Sequence, residues 1–305
     1  MKQRSETESK LITDERWTLH ALNIHGIFFE KWCERKFSET NGCKVISTNY
    51  PVSYGSNQEV ESTLDIRAES TLGDRRLTFI VECKKNNPAF VDWIFFPRST
   101  GNNNGIIIRT LENTPRTDDP SLWDVTNGLK RVPNSIPIAA DAREARGTYT
   151  QFKGNDKTKT SNSSISEAAY QVTLATQALY VEESNFSEVL GSSSSSPAPH
   201  WRQQILIPMI VTTARLFMCN FASEDIDPVS GEIPLEKASL QESTHLVYDY
   251  PIPRHLQANR GNLLETLKRG TIEWYVRNHI IVVQSMKLEE FLSDVASGRE
   301  SWSLQ

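Results

Sequence analysis

The sequence predicts an α/β fold in which helices flank a mixed sheet. Apolar residues recur at spacings of three and four from about Asp14, which indicates an amphipathic helix ending near Asn41-Gly42. Three strand-like segments follow, rich in β-branched residues or alternating in polarity. A second helix begins at Ser164, and two further apolar strands come after it. The order helix, three strands, helix and further strands is typical of a domain with a mixed sheet.

The first helix carries one apolar stripe on an otherwise polar surface. Its members recur at helical spacing: Trp17, Ala21, Ile24, Phe28 and Trp32. Such a stripe normally faces a core, so we expect these side chains to be buried. Gly42 suits the left-handed position that commonly follows the last turn of a helix.

The three predicted strands span residues 43–50, 60–68 and 77–84. The last two alternate polar and apolar residues, as strands with one buried face do. Residues 71–74 supply turn-forming residues between them, so we expect an antiparallel hairpin. The second helix has a capping-box signature at its start, with Ser164 as the expected N-cap and Glu167 three residues on.

The chain divides into three regions by composition, and the second contains an insertion. We expect residues 1–13 to be a flexible tail, residues 14–221 to form the main domain, and residues 222–305 to be a C-terminal extension packed on it. Residues 86–163 are rich in Asn, Gly, Pro, Asp and Thr, which favours a long insertion with little regular structure and a functional role. Later elements are expected at 205–213, 216–221 and 280–284 as strands, and at 262–268 and 288–295 as helices.

Composition limits the classes of protein that the chain can belong to. Hydrophobic residues make up 38% of the 305 residues, which is enough for a packed core. The net charge of −5 means that contact with nucleic acid would need a local basic patch. The start of the chain has no apolar signal segment, and no run reaches the roughly 18 apolar residues of a membrane span. We therefore expect a soluble cytoplasmic protein that makes no membrane contact.

One group of residues suggests chemistry. Glu82 and Lys84 lie two positions apart on a strand, so their side chains share a face. A hairpin pairing brings Asp65 of the preceding strand near Glu82. Two carboxylates in contact repel each other unless a cation lies between them, which predicts a metal site. Hard carboxylate ligands suit Mg²⁺, and a nearby ammonium can balance charge on a phosphate. The same residues also fit ion pairs without a catalytic role: Glu82 with Lys84, Asp65 with Arg67, and Glu30 with Arg35 or Lys36.

The segment Gly26-Ile27-Phe28-Phe29-Glu30, then Asp65, then Glu82-Cys83-Lys84, resembles the PD-(D/E)xK nuclease superfamily. The resemblance implies a restriction-endonuclease-like core of helix, three-strand meander, helix and strand. It covers residues 17–85 well and 164–221 loosely. Leu64, not Pro, precedes Asp65, and the superfamily tolerates this departure.

The resemblance also assigns roles to these residues. It implies that Asp65 and Glu82 bind Mg²⁺ or Mn²⁺, with the backbone carbonyl of Cys83 as a further ligand. Lys84 would position the attacking water and stabilise the phosphate. Glu30 would hold a metal-bound water or a second metal. Gln171 and Gln177, on the second helix, are candidates for a helix Gln that some members place near the site.

Further residues are candidates for contact with nucleic acid. A basic loop from Asp141 to Thr160 interleaves aromatic residues with cations, a composition that suits phosphate contact and base stacking but equally a solvated loop. The candidate contacts are Lys85, Arg143, Arg146, Lys153, Lys157 and Gln171.

The functional expectation is a Mg²⁺-dependent nuclease. DNA is the default substrate by analogy, and RNA is an alternative. No recognition domain is visible, so a restriction or phage-defence effector targeted by partner proteins is one hypothesis, and a homodimer stays open. A catalytically silent scaffold with a nuclease fold is the rival from another class.

Overall fold

The computed structural model describes residues 15–53, 62–86, 91–97, 105–115, 117, 123–132, 136–145, 163–191, 201–257 and 276–298. Four helices lie within these ranges: α1 (residues 15–24), α2 (Ile27–Glu39), α3 (Ser163–Gly191) and α4 (Leu288–Ala296). None of the helices in this described part of the chain is long and apolar enough to cross a membrane.

Twelve strands lie within the same ranges and belong to one sheet. In chain order they are β1 (Cys43–Val52), β2 (Ser62–Leu72), β3 (Arg75–Lys84), β4 (Asp92–Pro97), β5 (Ile106–Pro115), β6 (Trp123–Val132), β7 (Ile138–Ala145), β8 (Gln203–Thr212), β9 (Arg215–Phe221), β10 (Ala238–Ser243), β11 (His245–Pro251) and β12 (Arg277–Gln284).

The sheet is mixed, as the sequence predicts. Its order is β1-β2-β3-β8-β12-β11-β7-β4-β9-β10, and β5 and β6 form a hairpin attached to β8. Strands β1, β2 and β3 form an antiparallel meander, and the hairpin between β2 and β3 is confirmed. Strand β8 pairs parallel to β3 along its whole length, and β12 pairs parallel to β8. The parallel neighbours place the carboxyl ends of β3 and β8 side by side.

The junction of β8 and β9 bends the sheet back on itself. Only Thr213 and Ala214 separate the two strands, a span of about 10 Å at most. Yet β9 pairs with β4 and β10, at the far end of the strand order. The sheet between β8 and β9 must therefore curve. The curvature brings the start of β9 next to the carboxyl end of β8. The Thr213 N–H donates to the Lys84 carbonyl at 3.2 Å, which fixes this junction next to the end of β3.

Helices cover both faces of the meander. On one face, α2 and α4 pack against β3 and β8 through a cluster that includes Cys33, Phe37, Phe79 and Phe291. On the other face, α3 packs through Leu174, Ala175 and Leu179 against Leu64, Ile80 and Leu206. Every residue of β8 is buried, which explains its continuous apolar run in the sequence. Each large side chain buried here contributes roughly 1.5–3 kcal/mol.

The prediction of one long N-terminal helix with a buried stripe is wrong. Gly26 adopts φ +82, a left-handed conformation that interrupts the helix between α1 and α2. Trp17 and Ile24 are 66% and 62% exposed, and Phe28 is also exposed. The buried residues lie further along, at Cys33 and Phe37, because only the later part of α2 contacts the sheet. The expected left-handed glycine after the helix is confirmed at Gly42, φ +78.

The segment 86–163 is not the irregular insertion that its composition suggests. It contributes β4, β5, β6 and β7 to the sheet. These strands do not show a simple alternation of polar and apolar residues, because several of their polar residues are buried and hydrogen-bonded. Glu144 is one of them. The segment after residue 221, expected to be an extension, supplies the inner strands β11 and β12, and the predicted closing helix is confirmed as α4. The predicted tail, residues 1–13, and helix, residues 262–268, lie outside the described residues.

The start of α3 is capped by a carboxylate from β7. Ser163 is already helical, so the expected capping role of Ser164 is wrong. Instead, the backbone N–H groups of Ser164 and Ile165 donate to Glu144 Oε1, at 2.8 and 3.3 Å. Glu144 is buried, and the positive end of the helix dipole stabilises its charge.

Replacing Glu144 with alanine removes this cap. We expect Glu144→Ala to lower the free energy of unfolding by about 1–3 kcal/mol, because two helix N–H groups lose their acceptor and the carboxylate is a charged partner. Urea denaturation measures the loss. Asp141→Ala is the matched control on the same strand, because Asp141 is exposed. Equal losses in the two variants would contradict the capping role.

Candidate functional site

The candidate site begins where β2 separates from β3. Their pairing ends at Ile66 opposite Val81, and the next positions are Asp65 and Glu82. At that point the Cys83 backbone N–H donates to Asp65 Oδ2 at 2.7 Å. A side-chain carboxylate thus serves as acceptor where the ladder of backbone hydrogen bonds stops. The predicted approach of Asp65 to the end of β3 is therefore present in the structure.

Glu82 is almost completely enclosed. The residue is 2% exposed, so the interpretation of an exposed surface pair does not hold. Oε1 forms an ion pair with Lys84 Nζ at 3.0 Å, as expected for residues two positions apart on a strand. Oε2 is buried and has no hydrogen-bond partner among the described residues. A buried carboxylate oxygen without a partner is costly, which leaves it open to a cation or a water molecule.

Helix α3 completes the surroundings of Lys84. Lys84 Nζ donates to Gln171 Oε1 at 3.0 Å, so the expected proximity of Gln171 to the site is present. Glu167, one turn earlier on α3, also acts electrostatically on Lys84. The capping-box pattern accounts for Glu167 in the sequence, so its effect on Lys84 was not predicted. Its spacing of four from Gln171, which puts both on one helix face, was the available signal.

Glu30 approaches the carboxylates from the opposite helix layer. It lies in the first turn of α2, where its N–H donates to the Gly26 carbonyl at 3.0 Å. Its negative charge contributes to raising the pKa values of Asp65 and Glu82. Three acidic residues from α2, β2 and β3 therefore interact at one place. Asp65 does not form the alternative pair with Arg67, because the Arg67 guanidinium binds Glu69 and Glu183.

Burial shifts the ionisation of both strand carboxyls. Desolvation raises the pKa of Asp65 to about 6, and the Cys83 N–H and Lys84 oppose the shift. Desolvation and the charge of Asp65 raise the pKa of Glu82 to about 8, against the opposing effect of Lys84. The pKa of Lys84 is raised, since Glu82, Glu167 and Asp65 together outweigh the effect of burial. The raised pKa of Lys84 applies once Glu82 has ionised. As the pH rises, a neutral Glu82 beside the Lys84 ammonium therefore becomes a full ion pair.

The residues present fit a hard cation with few protein ligands. Among the described residues, no three His, Cys, Asp or Glu side chains are arranged to hold a metal ion. A cation here would instead use Asp65, the unpartnered oxygen of Glu82, the Cys83 carbonyl and water. Mg²⁺ commonly binds with one or two carboxylates and several waters. The Cys83 thiol is not a ligand, because it is buried on the other face against Cys33, which raises its pKa.

Other predicted contact residues have different surroundings. Lys85 Nζ donates to the backbone carbonyl of Asn23 and, at 2.9 Å, to Asn23 Oδ1. It therefore ties the end of β3 to the last turn of α1. Arg143 belongs to β7 rather than to a loop, and its guanidinium binds Asp141 at 2.5 Å. The other basic candidates lie outside the described residues: Arg146, Lys153 and Lys157.

The raised pKa of Glu82 predicts a pH-dependent stability. The folded protein holds this proton up to about pH 8, whereas an unfolded Glu releases it near 4.5. The unfolded state thus binds fewer protons in this window, and stability falls as the pH rises. We expect the free energy of unfolding in chelator to fall between about pH 5 and 8, by up to about 1.4 kcal/mol per pH unit for each proton.

Glu82→Gln cannot lose a proton, so its profile should be flatter. Asp65 adds to the slope only below about pH 6, where its own raised pKa lies. Glu112→Gln is the control. The pKa of Glu112 is lowered, so this carboxyl does not titrate in the same window. Parallel profiles for the wild-type chain and Glu82→Gln would mean that Glu82 is ionised throughout.

Comparison with models of protein families, with curated proteins and with solved structures finds no match for this chain. The case for its function therefore rests on the residues of the site and their geometry.

Proposed function

We propose that this chain is a metal-dependent nuclease that hydrolyses phosphodiester bonds, with DNA as the default substrate. One observation carries the proposal: Asp65, Glu82 and Lys84 converge at the end of β3, with one buried oxygen of Glu82 unpartnered among the described residues. Two carboxylates and an ammonium are the groups needed to hold Mg²⁺ and to balance charge on a phosphate.

Each side chain has a role that follows from its contacts. Asp65 and Glu82 would hold Mg²⁺ or Mn²⁺ with the Cys83 carbonyl, and the bound ion would activate water and neutralise phosphate charge. The Lys84 ammonium would contact a phosphate oxygen, and the Gln171 carbonyl fixes its direction. Glu30 approaches from α2 and would orient water beside the two carboxylates.

The chain path supports the same proposal. The order α2, β1, β2, β3, α3, β8, with β8 parallel to β3, agrees with the restriction-endonuclease-like core that the motif resemblance implies. Strands β4 to β7 enter between β3 and α3, so this chain would be an elaborated version of that core. A role in restriction or phage defence, with partner proteins that select the target, extends the proposal.

Cleavage assays test the activity directly. Purified protein is incubated with supercoiled, linear and single-stranded DNA and with transfer RNA, in Mg²⁺, in Mn²⁺ and in chelator. We expect metal-dependent cleavage of DNA by the wild-type chain, and a loss of about 100-fold or more in Lys84→Ala and Glu82→Gln. Cleavage of RNA alone would favour the RNA-directed alternative.

Matched variants separate chemistry from folding. Lys130 and Glu112 form an ion pair between β6 and β5, so Lys130→Ala and Glu112→Gln repeat the same substitutions away from the site. Both should cleave at the wild-type rate. Mg²⁺ should also raise the unfolding temperature of the wild-type chain but not of Glu82→Gln. A chain that neither binds Mg²⁺ nor cleaves any of these substrates would be a scaffold, and the proposal would fail.

A further inference from the structure

An extended acidic arm leaves the sheet at the end of β9. We define the acidic arm as residues 222–243, which end in the edge strand β10. Strand β9 starts beside Lys84, because the preceding Thr213 bonds the Lys84 carbonyl. The strand runs for about 20 Å, so the turn of the arm lies well away from the candidate site, and β10 then runs back along β9 until Ser243 is opposite Leu216.

The arm has a defined conformation without a core of its own. None of its residues is buried. Asp227 organises the turn: its carboxylate accepts from the Val229 N–H at 2.8 Å and the Ser230 hydroxyl at 3.0 Å. Its backbone N–H donates to the Glu232 carbonyl at 2.8 Å. Local hydrogen bonds and the pairing of β10 with β9 therefore hold the arm, rather than apolar packing.

Apolar side chains on the arm are exposed to an unusual degree. Val229 is 93% exposed, Leu235 is 89% exposed and Leu240, on β10, is 57% exposed. Single exposed apolar residues are common, but this arm has three and no buried residue, and covering them would remove apolar area from water and lower the free energy. Among the described strands, β10 pairs with β9 alone, so its other edge offers backbone donors and acceptors.

The charge of the arm defines what can cover it. It carries six carboxylates and one ammonium, a net of five negative charges that equals the net charge of the whole chain. Nucleic acid is repelled by such a surface, and so is a second copy of the arm, because each copy carries a net of five negative charges. Edge charges alone can serve to prevent self-association, but that role does not account for the exposed Val229 and Leu235.

We propose that the edge of β10 binds an extended segment of a basic partner protein, which adds to the sheet as a further strand. The backbone of the segment would pair with β10, its apolar side chains would cover Leu235 and Leu240, and its Lys or Arg residues would meet the carboxylates. The inference does not depend on nuclease activity. Under the proposed function, it would bring a partner to the sheet that carries the candidate site.

Peptide binding to the full chain tests the proposal. The probe is a fluorescent peptide of alternating Lys and Val, compared with peptides of alternating Glu and Val and of alternating Lys and Ser. We expect saturable binding of the Lys–Val peptide, at least about tenfold tighter than either comparison peptide, weakening as salt rises. Hydrogen exchange at the amides of Ala238–Ser243 should slow on binding, because strand addition protects them.

Variants assign the binding to the arm. Glu232→Lys with Glu236→Lys, and separately Leu235→Ser, should each weaken binding about tenfold or more. Glu289→Lys with Glu290→Lys is the matched control on α4, where both carboxylates are exposed, and should leave binding unchanged. Unfolding curves confirm that each variant is folded.

Four results would overturn the proposal: no saturable binding of the Lys–Val peptide, equal binding by the control variant and the arm variants, unchanged exchange at β10, or a dimer in solution that the arm variants dissociate. The last result would make a second copy of the chain the occupant. Activity in the cleavage assays bears only on the candidate site, so the two proposals fail independently.

Discussion

The enclosure of two carboxylates at the end of β3 is the constraint on which the site depends. Asp65, on β2, accepts a hydrogen bond from the N–H of Cys83 on β3. Glu82, the residue before Cys83, is buried. Desolvation raises the pKa values of both carboxyls, and the charge of Asp65 adds to the shift of Glu82. Such an arrangement lowers stability at neutral pH unless a cation or proton is bound. The desolvation that raises the pKa values of the two carboxyls would thus be offset by a bound metal ion.

The two helix layers serve this arrangement differently. Helix α2 delivers Glu30 from one face, and its approach depends on the left-handed turn at Gly26 and on the bond from Lys85 to Asn23. Helix α3 delivers Gln171 and Glu167 from the other face, and its start is fixed by Glu144 of β7. The strands inserted between β3 and α3 are therefore more than an appendage, because one of them anchors the helix that orients Lys84.

Charge is distributed unevenly over the molecule. The acidic arm holds charge equal to the net charge of the chain, and the remainder balances to neutrality. A nuclease with a uniformly negative surface would repel its substrate, whereas concentrating the excess on one arm leaves other surfaces free for phosphate contact. The separation supports the two proposals together, since a nucleic acid would bind at the end of β3 and a basic protein at β10.

The sequence by itself determined the local features: the meander of β1 to β3, the helix that became α3, the closing helix, and the identity of Asp65, Glu82 and Lys84. Periodicity encodes which residues share a face, and that information is local. Only the tertiary structure decided that Trp17 is exposed, that the described part of 86–163 contributes four strands, and that Glu144 caps α3. The contact between Lys84 and Gln171 joins residues 87 positions apart, and such contacts depend on strand register and chain path. Arg109 of β5 and Glu144 of β7 are buried with distant hydrogen-bond partners, on β12 and α3, and no pattern within either strand records those partners.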